Sequence, residues 1–393
     1  MDQLCRHPPE TAGTGLGYCP GRARRLSRSP RFIGLKDPKV ALSENDGSLG
    51  ATRLRFCVAL PRTCLPERVC ITLAVQRESS PKMHIKILGS AADGGFPQWN
   101  CACRNCVGFR SGSLRTRPRS QSQIAFSPLP DLWFLVGASP DLRSQILATP
   151  ELSPPPDSPG RSPLAGVFLP SAEIDAVLGI LHLRGSQNFF IFATPAVQRI
   201  LKTENRIFQV LERSDTPVQW QALSSGRRIG CHLSDNPGDA PTFFYSTVAL
   251  GGAYPDYAGD DFLRTAPSDQ STVGFLFEQN SKKIFVAPRL PGRAGEWTKV
   301  AASADAALID GAFWSDEELL LTGRSTKTAR ELGHLPLSGS DGLLAQFPAD
   351  STGHKILINI NNTNPILDET TPEHRAVLDA GFEIAYDGME FSL

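Results

Sequence analysis

Met83-His84-Ile85-Lys86-Ile87-Leu88-Gly89 is where this chain changes character. Apolar and polar residues alternate and the run stops on a glycine, the pattern of a β-strand that turns one face to a core. Further strand-like segments follow at 132–136, 164–169, 189–192, 274–277, 283–286, 307–309 and 355–358. Helix starts lie between them. Pro140-Asp141-Leu142-Arg143 has its proline and acid in a first turn, Ser315-Asp316-Glu317-Glu318 reads as a capping box before Leu319-Leu320-Leu321, and Thr371-Pro372-Glu373-His374 opens another helix. Strands interleaved with helices predict α/β layering rather than an all-β barrel. The proline-rich stretch Ser153-Pro154-Pro155-Pro156-Asp157-Ser158-Pro159-Gly160 reads as a surface loop, because strand-like sequence continues on both sides of it.

Upstream of Met83 the pattern fades. Residues 1–82 hold five of the nine cysteines at irregular spacing, and 14 Lys and Arg against 7 Asp and Glu. The remainder then holds 26 against 33, so an overall charge of zero divides into +7 and −7. Two readings stand for 1–82: a basic, disordered tail, or translated sequence ahead of a true start at Met83. The folded domain is expected over 83–393. Its acidic balance argues against a nucleic-acid groove, so no nucleic-acid partner is expected. No apolar run approaches the roughly 18 residues a spanning helix needs, so no membrane insertion is expected either.

The densest chemistry follows the first strand, in Gly94-Gly95-Phe96-Pro97-Gln98-Trp99-Asn100-Cys101-Ala102-Cys103-Arg104-Asn105-Cys106. Cys101, Cys103 and Cys106 are too close in sequence to close easily on one another as disulfides, and three thiols leave one over. Three thiolates converging on zinc, with one position left for a distant ligand, is the easier arrangement, and it predicts a structural Zn. The bland alternative is three separately buried cysteines.

Several blocks carry a resemblance. They are Leu88-Gly89-Ser90-Ala91-Ala92, Gly94 to Cys101, Ala138-Ser139-Pro140-Asp141-Leu142-Arg143, Ile309-Asp310-Gly311-Ala312-Phe313-Trp314, and Ala329-Arg330-Glu331-Leu332-Gly333-His334-Leu335. Asn361-Asn362-Thr363-Asn364-Pro365-Ile366-Leu367-Asp368 and Ala385-Tyr386-Asp387-Gly388-Met389 complete the set. In order and spread over about 310 residues, 83–393 resembles the coenzyme PQQ synthesis protein B family of the metallo-β-lactamase-like superfamily. The resemblance implies an αββα sandwich and a role in the biosynthesis of pyrroloquinoline quinone (PQQ). It also implies a PQQ precursor peptide or its processed product and other PQQ biosynthesis proteins as partners, and a cytoplasmic location. The oligomeric state is left open.

Active hydrolases of that superfamily carry His-x-His-x-Asp-His between a strand and a helix, holding metals that activate water. Here the corresponding segment is Ser171-Ala172-Glu173-Ile174-Asp175-Ala176. Ala176 departs even from the Asp-His pair the resemblance implies for the PQQ family. Asn359 stands where a further histidine is usual, and Ala287-Pro288 where hydrolases carry a bridging aspartate. A dinuclear hydrolytic centre is therefore not expected. Glu173, Asp175, Asp310 and His334 remain as implied ligands of a weak second site for Fe or Cu, with Asp175, Asp310 and His334 as the catalytic candidates. Each has a plainer reading: Asp310 bonded to the turn at Gly311, His334 capping a helix that ends at Gly333, and Glu173 and Asp175 at a helix start.

Three functions compete. One is oxidative chemistry on the PQQ precursor, a hydroxylase-like activity. The second is a carrier that moves PQQ or its precursor toward the periplasm, for which Arg115, Arg117, Arg119 and Arg143 would grip carboxylates. Solvated basic side chains are the plain reading of those four. The third, a metal-dependent hydrolase, is opposed by the lost histidines.

Overall fold

The computed structural model describes residues 82–393, apart from short stretches at 159, 185–186, 214–217, 233–240, 292–294, 349–350 and 352, together with two upstream strands. In chain order the strands are β1 (Ala51–Val58), β2 (Cys70–Gln76), β3 (His84–Gly89), β4 (Gln123–Leu129), β5 (Leu132–Val136), β6 (Leu164–Phe168), β7 (Phe190–Ala193) and β8 (Gln219–Ala222). There follow β9 (Ile229–His232), β10 (Phe243–Ala249), β11 (Val273–Gln279), β12 (Lys282–Ala287), β13 (Ala306–Asp310), β14 (His354–Ile358), β15 (Glu383–Ile384) and β16 (Glu390–Ser392). They form a nine-stranded sheet, β15-β14-β13-β12-β11-β10-β9-β1-β2, and a seven-stranded sheet, β16-β3-β4-β5-β6-β7-β8. Apart from β1 and β2, the tail expected over 1–82 lies outside the described residues.

The central strands are apolar on both faces, which fixes the layering. In β5, Leu132, Phe134 and Val136 enter the core between the sheets, while Trp133 and Leu135 face the helices outside. In β13, Ala306 and Leu308 point inward and Ala307 and Ile309 outward. Such strands lose their hydrophobic gain unless both faces are covered, so helices must flank each sheet. The inter-sheet core is aromatic. Phe168 stacks on Phe192 with centroids 4.2 Å apart, and Phe126 meets Phe277 across the sheets at the same distance. The αββα sandwich expected from the sequence is the observed architecture.

Each sheet contains a parallel run, β5-β6-β7-β8 and β12-β13-β14-β15. Parallel strands end together, so the loops after β6, β12, β13 and β14 gather at one edge of the sandwich, where α/β sheets place ligands. The short helix α1 (Arg104–Ser111) starts within the cysteine run, with Cys103 at its N-cap and Cys106 in its first turn. The helix α2 (Leu142–Leu147) begins two residues past the expected proline, and α3 (Ile174–Val177) follows β6 with Glu173 at its N-cap and Asp175 in its first turn.

Candidate metal knuckle and candidate active site

Two regions near that edge carry chemistry. The first is the cysteine knuckle. Gly94 and Gly95, at φ of 82° and 69°, bend the chain out of β3 into it. The three sulfurs lie within 4.8 Å of one another, and Cys101 and Cys106 are buried. This is the one cluster of three or more His, Cys, Asp or Glu donors among the described residues. Asn362, from the loop after β14, lays its side-chain amide over all three: Nδ2 is 3.0 Å from Cys101 Sγ, 3.4 Å from Cys106 Sγ and 3.7 Å from Cys103 Sγ.

Three thiols this close resist ionising together. Burial pushes the Cys103 thiol up to about 12. Burial also opposes ionisation of Cys101, but the Cys103 backbone N–H, the two neighbouring thiols and the Arg324 charge outweigh it and hold Cys101 below the ordinary thiol value. A divalent cation held by Cys101, Cys103 and Cys106 would resolve the conflict by stabilising all three as thiolates. Turning the Asn362 amide over would aim its oxygen at the same point. The knuckle thus fits a thiolate-preferring ion, and Asn362 is the residue laid nearest the fourth position that the sequence left unassigned.

The second region is a pocket of about 400 Å³ lined by Glu173, Asp175, Arg289, Arg324, His334 and Asn359 among others, with a recess of about 40 Å³ beside it. Asp310, at the end of β13, is fully buried, and its oxygens are committed to the protein. Oδ2 lies 2.7 Å from His334 Nδ1 and accepts from the Leu290 N–H at 3.2 Å, while Oδ1 accepts from Asn359 Nδ2 at 3.1 Å and the Ala312 N–H at 3.3 Å. The plain reading of Asp310 as a turn acceptor and its reading as a site residue therefore both describe it. An ionised Asp310 keeps the proton of neutral His334 on Nδ1, which leaves Nε2 as the acceptor. Phe313 packs edge-on against the imidazole with centroids 5.4 Å apart.

Glu173 is paired with Arg289 at 2.8 Å. Arg289 also donates to the Leu332 carbonyl at 2.6 Å, beside Gly333. At φ 82°, Gly333 leaves room for that guanidinium: a Cβ there would lie 2.8 Å from Arg289 Nη2. Asp175 makes no such ion pair among the described residues. Desolvation pushes its carboxyl up to about 6, with Glu173 and Asp93 adding to the rise and Arg289 and His334 opposing it. Ala176 and Asn359 line the same recess as Asp175 and His334.

The structure thus brings Glu173, Asp175, Asp310 and His334 together, but not the four arginines. Arg115 pairs with Glu369, Arg117 stacks on Tyr386, Arg119 is buried against Ser90 and the Ala385 carbonyl, and Arg143 is exposed; none lines the pocket. Sequence reasoning missed Arg289, Asn362 and Glu318. The first has no local motif. Asn362 lay inside a quoted block but 256 residues from Cys106, and Glu318 read as a helix cap.

Comparison with known proteins gives the lineage. A family model described as a beta-lactamase superfamily domain matches residues 132–358. The coenzyme PQQ synthesis protein B of Azotobacter vinelandii is 38% identical over 313 residues, covering 79% of this chain and all of that protein. The Methylorubrum extorquens protein of the same name is 35% identical over 311 residues, again covering 79% and 100%. The 1.98-Å crystal structure of Zn²⁺-bound PqqB from Methylobacterium extorquens superposes with a TM-score of 0.70 at 35% identity, with the same coverage. A diphosphatase of the PhnP family, at 14% identity and a TM-score of 0.53 over 79% of this chain and 97% of that one, shares the fold. With its two-sheet architecture and full-length similarity to those relatives, this chain belongs to the coenzyme PQQ synthesis protein B family.

Proposed function

We propose that this chain serves the biosynthesis of PQQ by binding a PQQ precursor in the 400 Å³ pocket and moving a proton to or from it through His334. The observation that carries this reading is the Asp310–His334 contact of 2.7 Å, made by a fully buried carboxylate to a histidine that lines the pocket. A carboxylate on Nδ1 orients the ring and stabilises the imidazolium once Nε2 has taken a proton, the division of labour of acid–base dyads. Arg324, in the same wall, gives acidic groups of the ligand a counter-charge.

The knuckle is the natural holder of a structural zinc, with Cys101, Cys103, Cys106 and Asn362 as its ligands. Such an ion supplies a cross-link between α1 and the loop after β14. A second site for Fe or Cu fits poorly. Asp310 spends both oxygens on four protein donors and Glu173 is held by Arg289, which leaves Asp175 and His334. Two ligands are too few for the His and carboxylate sets that hold redox iron. Carriage of PQQ has no comparable support, because the four arginines it called on lie elsewhere. Residues 83–393 as the working domain, a cytoplasmic location and association with other PQQ biosynthesis proteins go with this reading.

The test is complementation of a bacterium lacking its own protein of this family, with PQQ measured in the medium. His334→Ala should lower PQQ about 100-fold at equal protein level, the scale of a lost acid–base group. Wild-type PQQ from that variant would overturn the proposal.

A further inference from the structure

The knuckle and the pocket are joined by a short strap, Asn361-Asn362-Thr363-Asn364, separated from the end of β14 by two residues. Its knuckle side is fixed twice. The Asn362 amide lies over the three sulfurs, and Asn105, between Cys103 and Cys106 in sequence, donates Nδ2 to the carbonyls of Asn362 at 3.1 Å and Asn364 at 2.8 Å. Its pocket side is fixed at the residues that follow Asp310. Asn364 Nδ2 donates to the carbonyls of Gly311 at 3.0 Å and Ala312 at 3.1 Å, and the Asn361 N–H donates to the Ala312 carbonyl at 3.0 Å. Ala312 in turn donates its N–H to Asp310.

A second line runs through Glu318. Thr363 Oγ1 donates to Glu318 Oε1, and Glu318 Oε2 accepts from the Trp314 N–H at 2.6 Å. Trp314 follows Phe313, whose ring lies against His334. Glu318 is 6% exposed and has no cationic partner among its described contacts. A carboxyl buried on a hydroxyl and backbone N–H groups, rather than on a charge, costs stability unless the geometry it fixes repays it. Glu318, read from the sequence as a capping-box residue, reaches back to the backbone N–H groups of both Trp314 and Ser315.

We infer that Thr363, Asn364 and Glu318 are positioning residues through which the state of the cysteine knuckle sets the placement of the Asp310–His334 pair. The inference rests on the proposed role of His334, and adds that the knuckle is more than a remote staple. Without a cation the three thiols are held by hydrogen bonds alone: the Asn362 amide over all three, the Cys103 N–H on Cys101 Sγ, and Cys103 Sγ on the Asn362 carbonyl. The strap then keeps its Asn105 bonds but loses the cross-link through Asn362, and the backbone after Asp310 and the Phe313 ring against His334 are loosened together. Outer partners that fix a reactive group commonly matter nearly as much as the group itself.

The experiment uses the full chain with histidine ring nitrogens labelled with ¹⁵N, read by NMR at one fixed pH, alongside zinc content and hydrogen exchange at the Ala312 amide. Three samples are compared with the wild type: chain stripped of zinc with a chelator, Thr363→Val, and Glu318→Gln. Thr363→Val leaves every cysteine in place, so it should keep its zinc while the His334 Nδ1 signal shifts and Ala312 exchange rises at least about tenfold. The zinc-stripped chain should show the same two changes, and Glu318→Gln, which keeps a polar group of the same shape, should remain near wild type. An unmoved His334 signal in folded Thr363→Val overturns the inference. If stripping zinc unfolds the chain, Thr363→Val alone decides it. None of these readouts depends on turnover, so failure of the proton-transfer reading would be seen separately, in complementation.

Discussion

The knuckle and the pocket are built from residues of similar ligating power, yet they stand in opposite states. In the knuckle, three sulfurs face one another across at most 4.8 Å with one amide laid over them. In the pocket, the carboxylates have already found protein partners: Asp310 receives four donors and Glu173 an arginine. A metal competes for lone pairs, so the decisive quantity is how many remain unspent, not how many ligand-type residues gather. By that measure the knuckle is poised for a cation. In the pocket, His334 is held by one nitrogen, the arrangement that the proposed proton transfer would use.

The change that breaks this contrast most severely is Cys103→Ser. Binding free energy at a structural thiolate site is folding free energy, so losing one ligand should remove the metal and cost about 3 kcal/mol or more. For a domain of this size that lowers Tm by several degrees. Elemental analysis and a thermal melt read both. A variant with unchanged zinc and an unchanged melt would reduce the knuckle to three buried cysteines.

What could be read from the sequence alone follows the same division. The layering was legible because strands such as 132–136 are apolar on both faces and must be covered on both, a demand that local composition carries. The cysteine cluster was legible because its ligands are adjacent in sequence. Its fourth partner was not: Asn362 reaches Cys101 only because β14 ends beside the start of the knuckle, and contacts across 261 residues leave no local pattern. Asp310 and His334 were singled out as metal ligands through a resemblance. Their hydrogen bonds to one another, to Leu290 and to Asn359 depend on how three loops meet. Arg289 follows an ordinary strand, and nothing near it in sequence announces that it holds Glu173.

A smaller effect separates the strap from both regions. Burial pushes the Glu318 carboxyl from 4.5 up to about 7. The folded state therefore holds a proton that the unfolded chain gives up, and stability falls as pH rises from about 4.5 to about 7, then levels off. The loss amounts to about 3 kcal/mol over that window. Asp175, pushed up to about 6, adds in the same direction at lower pH. Glu318→Gln cannot titrate and should flatten the Glu318 part of the slope. Urea midpoints from about pH 4 to about pH 8 make the comparison, and parallel slopes for the two proteins would show that Glu318 ionises as freely in the fold as in the unfolded chain.

The contrast can also be sharpened by handing the pocket the ligands it lacks, with Ala176→His and Asn359→His together. Both positions line the recess shared by Asp175 and His334, so new imidazoles would enter a place where two potential ligands already stand. Asn359 is at φ 58°, a left-handed conformation that histidine tolerates better than most side chains, so the backbone need not move. Replacing it also removes the Nδ2 donor from Asp310 Oδ1 and returns a lone pair to that carboxylate. Ala176 is anchored through its carbonyl, which accepts from the Ala138 N–H at 2.8 Å, and its side chain is half-buried, leaving room at the recess. Affinity for Fe²⁺ should rise about 10- to 100-fold, and a second metal should appear per chain beside the knuckle zinc. Ala176→His alone should give less, since Asp310 stays fully engaged. If the folded double variant still binds one metal only, spent lone pairs are not what keeps a cation out of the pocket, and the difference between the two regions lies in the shape of the recess instead.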